Sequence, residues 1–349
     1  MSEIYLIMPG KVSRRLMSMA EAATSCAAAR IIETPSNLPD LKGKKILFAV
    51  ELDDLGNSIP MLEAVACIAR RGNTSLYGST GAVLVHSSSE LYTKSAAQNL
   101  IFLANTLGCR FPGNPLVEAT ASLSNLKTWQ KKTSMSLEEI CLELCVSLGS
   151  RLLDDNPITV KNPKILALHS SSHETSNTLM LWNMVKKHLC EHEIVELHVE
   201  NGTVLDCKGC SYRTCKHYSL QSSCFYGGVM VEEILPAIEN SDAVVWICPN
   251  YNDSISANLM AVINRLTALY RKTKFFDKSV FGIIVSGNSG SDSVAKQLIG
   301  SLNINKSFRL PPYFALMATA NDPGSIKRVP GIEERARIFA ENLAGEIKS

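Results

Sequence analysis

The stretch AVVWICPNYNDSISANLMAVINRLTAL, residues 243–269, places a strand, a loop and a helix in immediate succession. Residues 243–248 are a continuous apolar run of strand length, which reads as a strand buried on both faces. Pro249-Asn250-Tyr251-Asn252-Asp253 is a polar loop. Beyond it Ile255, Leu259, Val262, Leu266 and Leu269 recur at steps of three and four, which puts them on one helical face. The loop therefore leaves the carboxyl end of a buried parallel strand, the edge at which open α/β sheets bind ligands. Asn and Asp are also ordinary turn residues, so the loop alone fits either role.

Working outward, the same pattern fills the rest of the second half. Apolar runs predict strands at 165–168, 194–199, 280–285 and 313–317, and a closing helix over 332–343. The first half repeats it, with strands expected at 4–8, 29–33, 45–50 and 82–85. Helices are expected over 13–28, through Met61, Val65 and Ile68, over 95–107, and from Ser136, where Glu139 completes a capping box. In that last helix Cys141 and Cys145 fall on the apolar face and read as core residues. The stretch DDNPITVKNP, residues 154–163, reads as a linker between a domain 1–156 and a domain 163–349. Pairs such as Ala64-Val65 with Ala261-Val262, and Asn105 with Asn303, suggest that one half duplicates the other. The expected fold class is α/β, with two tandem doubly wound parallel sheets.

Composition narrows the partners. Apolar residues are 46% of the 349-residue chain, charged residues 19%, and the net charge is +2. That balance suits a globular protein with a full core and gives no sign of a nucleic-acid or membrane partner. Lys11, Arg14 and Arg15 precede LMSMAEAATSCAAA, but Glu21 and the polar interruptions break the apolar core that a leader requires. Eleven cysteines without a leader point to a reducing, cytoplasmic setting.

Three loops should meet at the carboxyl edge of the second sheet. The first, residues 169–178, is dense in hydroxyls and opens a helix, where free N–H groups and the helix dipole favour a phosphate. Ser170, Ser171, Ser176, Asn177 and Thr178 are its candidate ligands; a helix cap would account for one of them. The second is Pro249, Asn250, Tyr251 and Asn252. The third is Ser286, Gly287, Asn288 and Gly290, whose glycines let the backbone approach a flat ligand. A phosphate-ready loop followed by two close-approach loops suits flavin mononucleotide, FMN, at a switch point.

At these residues the second half resembles the flavodoxin-like NAD(P)H-dependent FMN reductases, including the iron–sulfur flavoproteins. The family's first loop runs Gly-Ser-Pro-Arg-x-x-Gly-Asn-Thr; here Ser170-Ser171-Ser172-His173 and Ser176-Asn177-Thr178 stand in it, with serines in place of the glycines and His173 in place of the arginine. Its Pro-x-Tyr loop and small-residue helix start appear as Pro249-Asn250-Tyr251 and Ser256-Ala257, and its third turn as Ser286-Gly287 and Gly290. The resemblance implies an FMN-dependent oxidoreductase that takes hydride from NAD(P)H and passes electrons to a small-molecule or protein acceptor. A flavin electron carrier and a cofactor-less scaffold are the alternatives. It also implies a dimer or an internal pseudo-dimer, with the first half as a degenerate partner.

The insertion 207–224 carries Cys207, Cys210, Cys215 and Cys224. Such thiols could hold an iron–sulfur cluster or zinc, or no metal at all. Iron–sulfur members of the resembled family place two residues between the second and third cysteines, whereas this chain has four. In the first half Glu51, Asp53 and Asp54 align with Cys248, Asn250 and Tyr251, and three acids would repel a phosphate. No cofactor is expected there.

Overall fold

The structure is a computed structural model and describes residues 3–155, 160–171 and 175–347. The chain divides into two compact units between residues 156 and 157. The first contains β1 (Glu3–Ile7), β2 (Ala28–Ile32), β3 (Lys45–Leu52), β4 (Thr80–Ser87) and β5 (Leu116–Ala119) in the order β2-β1-β3-β4-β5. The second contains β6 (Lys164–His169), β7 (Glu193–His198), β8 (Ala243–Pro249), β9 (Ser279–Ser286) and β10 (Ala315–Thr319) in the order β7-β6-β8-β9-β10. Every pairing is parallel. Both sheets thus follow the flavodoxin-like order 2-1-3-4-5, with the switch point between the loops that leave the first and third strands.

The central strands are buried along their whole length, as their unbroken apolar runs require: β8 and β9 expose no residue. In the second unit Ile165, Ala167, Val245, Ile247 and Phe281 pack against the helices Asn177–Lys186 and Ile332–Ile347. Trp182 comes from the first of these, and Phe339 from the second meets Phe281 edge-on at 5.8 Å. In the first unit Ser136 and Glu139 form the expected capping box, and Cys141 and Cys145 are buried core residues. Among the described residues no helix is long and apolar enough to cross a membrane.

Three features depart from the sequence reading. Strand β5 escapes it because four residues behind Pro115 are too few to show a period. The helix expected through Leu269 is two segments, Ala257–Arg265 and Thr267–Lys272, and Ile255 precedes both, its N–H donating to Gln297 Oε1 at 3.2 Å. The third concerns how the halves align. Strand pairing equates Lys45–Thr80 with Ala243–Ser279, so Glu51, opposite His86, corresponds to Pro249, opposite Val285. The sequence alignment set Glu51 one residue earlier, against Cys248. Helical periodicity cannot fix strand register; the ladder does.

Candidate functional site

The loops at the carboxyl edge of the second sheet enclose a cavity of about 710 Å3. Its first wall is the loop after β6. Ser170, Ser171, Ser176, Asn177 and Thr178 all line it. Ser176 caps the helix Asn177–Lys186 by accepting from Leu179 N and donates to Ser171 Oγ at 3.0 Å. Ser170 Oγ lies 2.9 Å from Ser256 Oγ and so ties this loop to the one after β8. Asn177 is placed differently from the free donor the sequence suggested. Its amide donates to Ala320 O and Asp322 O at 3.0 and 2.8 Å, and its Oδ1 accepts from Ile326 N at 3.1 Å. The side chain fastens the loop after β10, which leaves its backbone at the helix start for a ligand. Ser172, His173 and Glu174 lie outside the described residues.

The second wall is Pro249, Asn250 and Tyr251. Tyr251 is 60% exposed and stands at the cavity mouth. Asn250 braces rather than merely faces the space: its amide donates to Ser286 Oγ at 2.9 Å and Ser289 O at 3.0 Å. Asn252 lies outside the lining. It and Asp253 have φ of 52° and 56°, closed by Ser254 N donating to Tyr251 O at 3.1 Å. Asn and Asp tolerate two left-handed positions in a row better than other side chains.

The third loop contributes Gly287 alone. A Cβ there would meet Asn321 Oδ1 at 2.9 Å. Ser286 is fully buried beneath the wall, bonded to Asn250 and to Ser291 Oγ, and Asn288 and Gly290 lie outside it. Gly290 has another reason to be glycine: at φ +88° its Cβ would fall 1.7 Å from Asp253 Oδ1. These residues shape the loops that hold the cavity.

The sequence reading missed Asn201, Asn258 and Asn321 on the lining. Asn321 follows β10 in an Asn-Asp-Pro-Gly turn, so applying the carboxyl-edge rule to the last strand would have found it. Asn201 and Asn258 carry no local signal; Asn258 reaches the site because its amide donates to Val199 O at 3.0 Å, joining the helix after β8 to the end of β7.

No described lining residue carries a full charge. His169 lies beneath the first wall, its Nδ1 3.2 Å from Ser171 O and its ring stacked on His198 at 4.9 Å. Burial, with the neighbouring His198, holds its pKa below the usual histidine value, so the ring is neutral at pH 7.

The corresponding edge of the first sheet is closed by a carboxylate. Glu51 Oε2 accepts from Ser13 N at 2.9 Å and Ser13 Oγ at 2.8 Å, and Oε1 lies 2.5 Å from His86 Nδ1. Ser13 caps the helix Arg14–Thr24. The carboxylate thus occupies the helix N-terminus, where an anion binds best. Burial alone would raise the Glu51 pKa, but the hydrogen bonds from His86 and Ser13 outweigh it and hold the group below the ordinary glutamate range. Asp53 builds the adjoining turn by accepting from Leu55 N and Asn57 N.

Among the described residues no group of three or more His, Cys, Asp or Glu is placed to hold a metal ion. The expected set Cys207, Cys210, Cys215 and Cys224 is therefore not assembled as a metal site. Cys207 is exposed on irregular chain while Cys215 rides on the helix Tyr212–Ser219, and all four are free thiols.

Residues 163–322 match the family model described as NADPH-dependent FMN reductase. The matched segment contains β6 to β10 and almost the whole lining of the cavity. No match was found among curated proteins. Similar solved structures include RosB with a bound 8-demethyl-8-formylriboflavin-5'-phosphate intermediate, at 15% identity over 53% of this chain and 78% of that chain, TM-score 0.42. Others are the FMN-dependent NADH-azoreductase from Bacillus anthracis str. Ames Ancestor in complex with FMN, at 12% over 52% and 99%, TM-score 0.40, and NAD(P)H:quinone oxidoreductase from Methanothermobacter marburgensis, at 15% over 52% and 100%, TM-score 0.40.

The cavity fits the cofactor that the matching family model names. A cavity of about 710 Å3 falls within the range of ligand pockets. Its hydroxyls and helix N-terminus suit a phosphate, no described carboxylate opposes one, and Gly287 keeps the third loop free of a side chain.

Proposed function

We propose that the second unit binds FMN in this cavity and works as an NAD(P)H-dependent flavin oxidoreductase. The observation that carries the reading is a cavity whose described lining is uncharged, built on a helix N-terminus at the switch point of a sheet whose sequence matches the FMN reductase family. The Ser171–Ser176 pair and the first-turn N–H groups of the helix Asn177–Lys186 hold the phosphate. Pro249 and Tyr251 line the ribityl chain and ring, and the Gly287 backbone gives the ring a close wall. Asn177 and Asn250 act at one remove, each locking two loops in place. When bound, FMN supplies the hydride and electron chemistry; the chain supplies placement and exclusion of water. The acceptor is a small molecule or a protein that reaches the cavity mouth beside Tyr251.

The likeness of strand order, and the paired bridges Thr80–Arg110 and Ser279–Arg309, support descent of both units from one duplicated unit. Glu51 at the helix start supports loss of the cofactor in the first. Titration of the full chain with FMN should reach one equivalent per chain, and anaerobic NADPH should bleach the yellow complex. A chain that ignores FMN is a scaffold and overturns the reading.

A further inference from the structure

Residues 205–229 contain one fully buried side chain, Ser219. A segment of that length without a core of its own is uncommon in a compact domain and needs another constraint. Part of it is a clasp. Arg265, itself 3% exposed, donates to Leu205 O at 3.4 Å and Gly227 O at 2.9 Å, which pins both ends of the segment to one guanidinium. Asn264 adds a bond to Asp206 Oδ1 at 2.9 Å.

All four clustered cysteines lie inside this clasp. Gly209, at φ +66°, turns the chain between Cys207 and Cys210. Ser211 then caps the helix Tyr212–Ser219, and Cys215 N donates to Ser211 O at 2.9 Å. Cys210 therefore stands just before the cap and Cys215 at the fourth helical position, two places whose side chains pack against each other across a helix start. Cys210, Cys215 and Cys224 are half-buried and Cys207 is exposed, so small thiols can reach them. Cys141 and Cys145 lie on successive turns of one helix, but both are buried core residues.

We propose that Cys210 and Cys215 form a reversible thiol–disulfide couple that cross-links the insertion in place of a core. The oxidant is a low-molecular-weight disulfide, RSSR. The thiolate of one cysteine attacks RSSR, forming a mixed disulfide and releasing RS⁻. The second thiol, losing its proton, displaces the other RS⁻ and closes the Cys210–Cys215 bond. Overall the protein dithiol and RSSR become the protein disulfide and two RSH, so the protein loses two electrons and two protons. The step needs no flavin and stands apart from the FMN reading.

The test equilibrates the full chain with glutathione and glutathione disulfide over a range of ratios, then blocks thiols with N-ethylmaleimide. Trypsin cleavage after Arg213 separates Cys210 from Cys215, so only a disulfide keeps their peptides joined. The joined pair should appear at oxidising ratios, vanish on return to reducing ones, and be lost in Cys215→Ser. Cys141 and Cys145 should stay reduced throughout. The proposal falls if Cys210 and Cys215 are alkylated at every ratio, or if they pair with other cysteines. It also falls if zinc or iron copurifies at one atom per chain and shields the four thiols until chelated. Thermal unfolding of Cys215→Ser at its unoxidised baseline checks that the variant is folded.

Discussion

The two sheets share a strand order and differ at one edge. In the second, the loop after the first strand opens a helix with Ser176 as its cap, and no described carboxylate faces the cavity beside it. In the first, Ser13 caps the equivalent helix but hands its N–H to Glu51. The position that carries Pro249 in one sheet carries Glu51 in the other, and Val285 is matched by His86. A helix N-terminus attracts an anion wherever it stands. Here one is left for a ligand and the other is satisfied from within the chain.

The sharpest way to break this contrast is to carry the acid across. Ser176→Asp keeps a good helix cap, yet sets a negative charge in the loop proposed to hold the phosphate. Since like charges a few ångströms apart repel by about 4 kcal/mol near a protein surface, FMN affinity should fall by about a hundredfold or more. Fluorescence titration measures it, and an unchanged dissociation constant would remove the phosphate from this loop.

Removing the acid from the first sheet should not create a second site. Glu51→Gln leaves Ser13 and His86 poorly partnered and should cost about 1–3 kcal/mol of stability. FMN should still bind at one per chain. The pH dependence has a definite sign. Folded Glu51 titrates below its ordinary value of 4.5, so the unfolded chain holds more protons. The stabilisation is complete above that value and is lost as pH falls through the lower folded pKa. The gap between wild type and Glu51→Gln should therefore narrow below pH 4.5 in denaturant melts; a gap that widens there would contradict the assignment.

Gly290→Ala tests the loops behind the cavity. It forces a side chain into left-handed backbone against Asp253, and should cost about 1–3 kcal/mol while weakening FMN binding. If binding is untouched, Gly290 matters to the loop but not to the site. The smallest effect concerns pH. With an uncharged described lining and a neutral His169, FMN affinity should change less than about threefold between pH 7 and 9. A steep slope would reveal an ionisable group at the ligand.

Much of this was legible in residue order. Residues 243–269 announce a buried strand, an edge loop and a helix, and β6, β8 and β9 follow from unbroken apolar runs, because burial on both faces leaves no alternation to confuse. The loop residues were harder. Asn177, Asn250, Ser286 and Gly290 all read alike as ligand contacts, yet the structure gives them different places: Asn177 and Asn250 line the cavity and also brace its loops, Ser286 lies beneath the wall, and Gly290 sits where a side chain would meet Asp253. Polar residues in a loop look alike in sequence, whether they bond a ligand or each other.

The sequence by itself determined the α/β class, the two-unit plan and the serine-rich helix start, since periodicity and capping are local properties of the chain. Only the tertiary structure decided that Glu51 stands opposite His86, that Asn201, Asn258 and Asn321 reach the cavity, and that Arg265 closes the cysteine segment. Those facts depend on strand register and on contacts between residues far apart in the chain. Such contacts are set by packing, which no local pattern encodes.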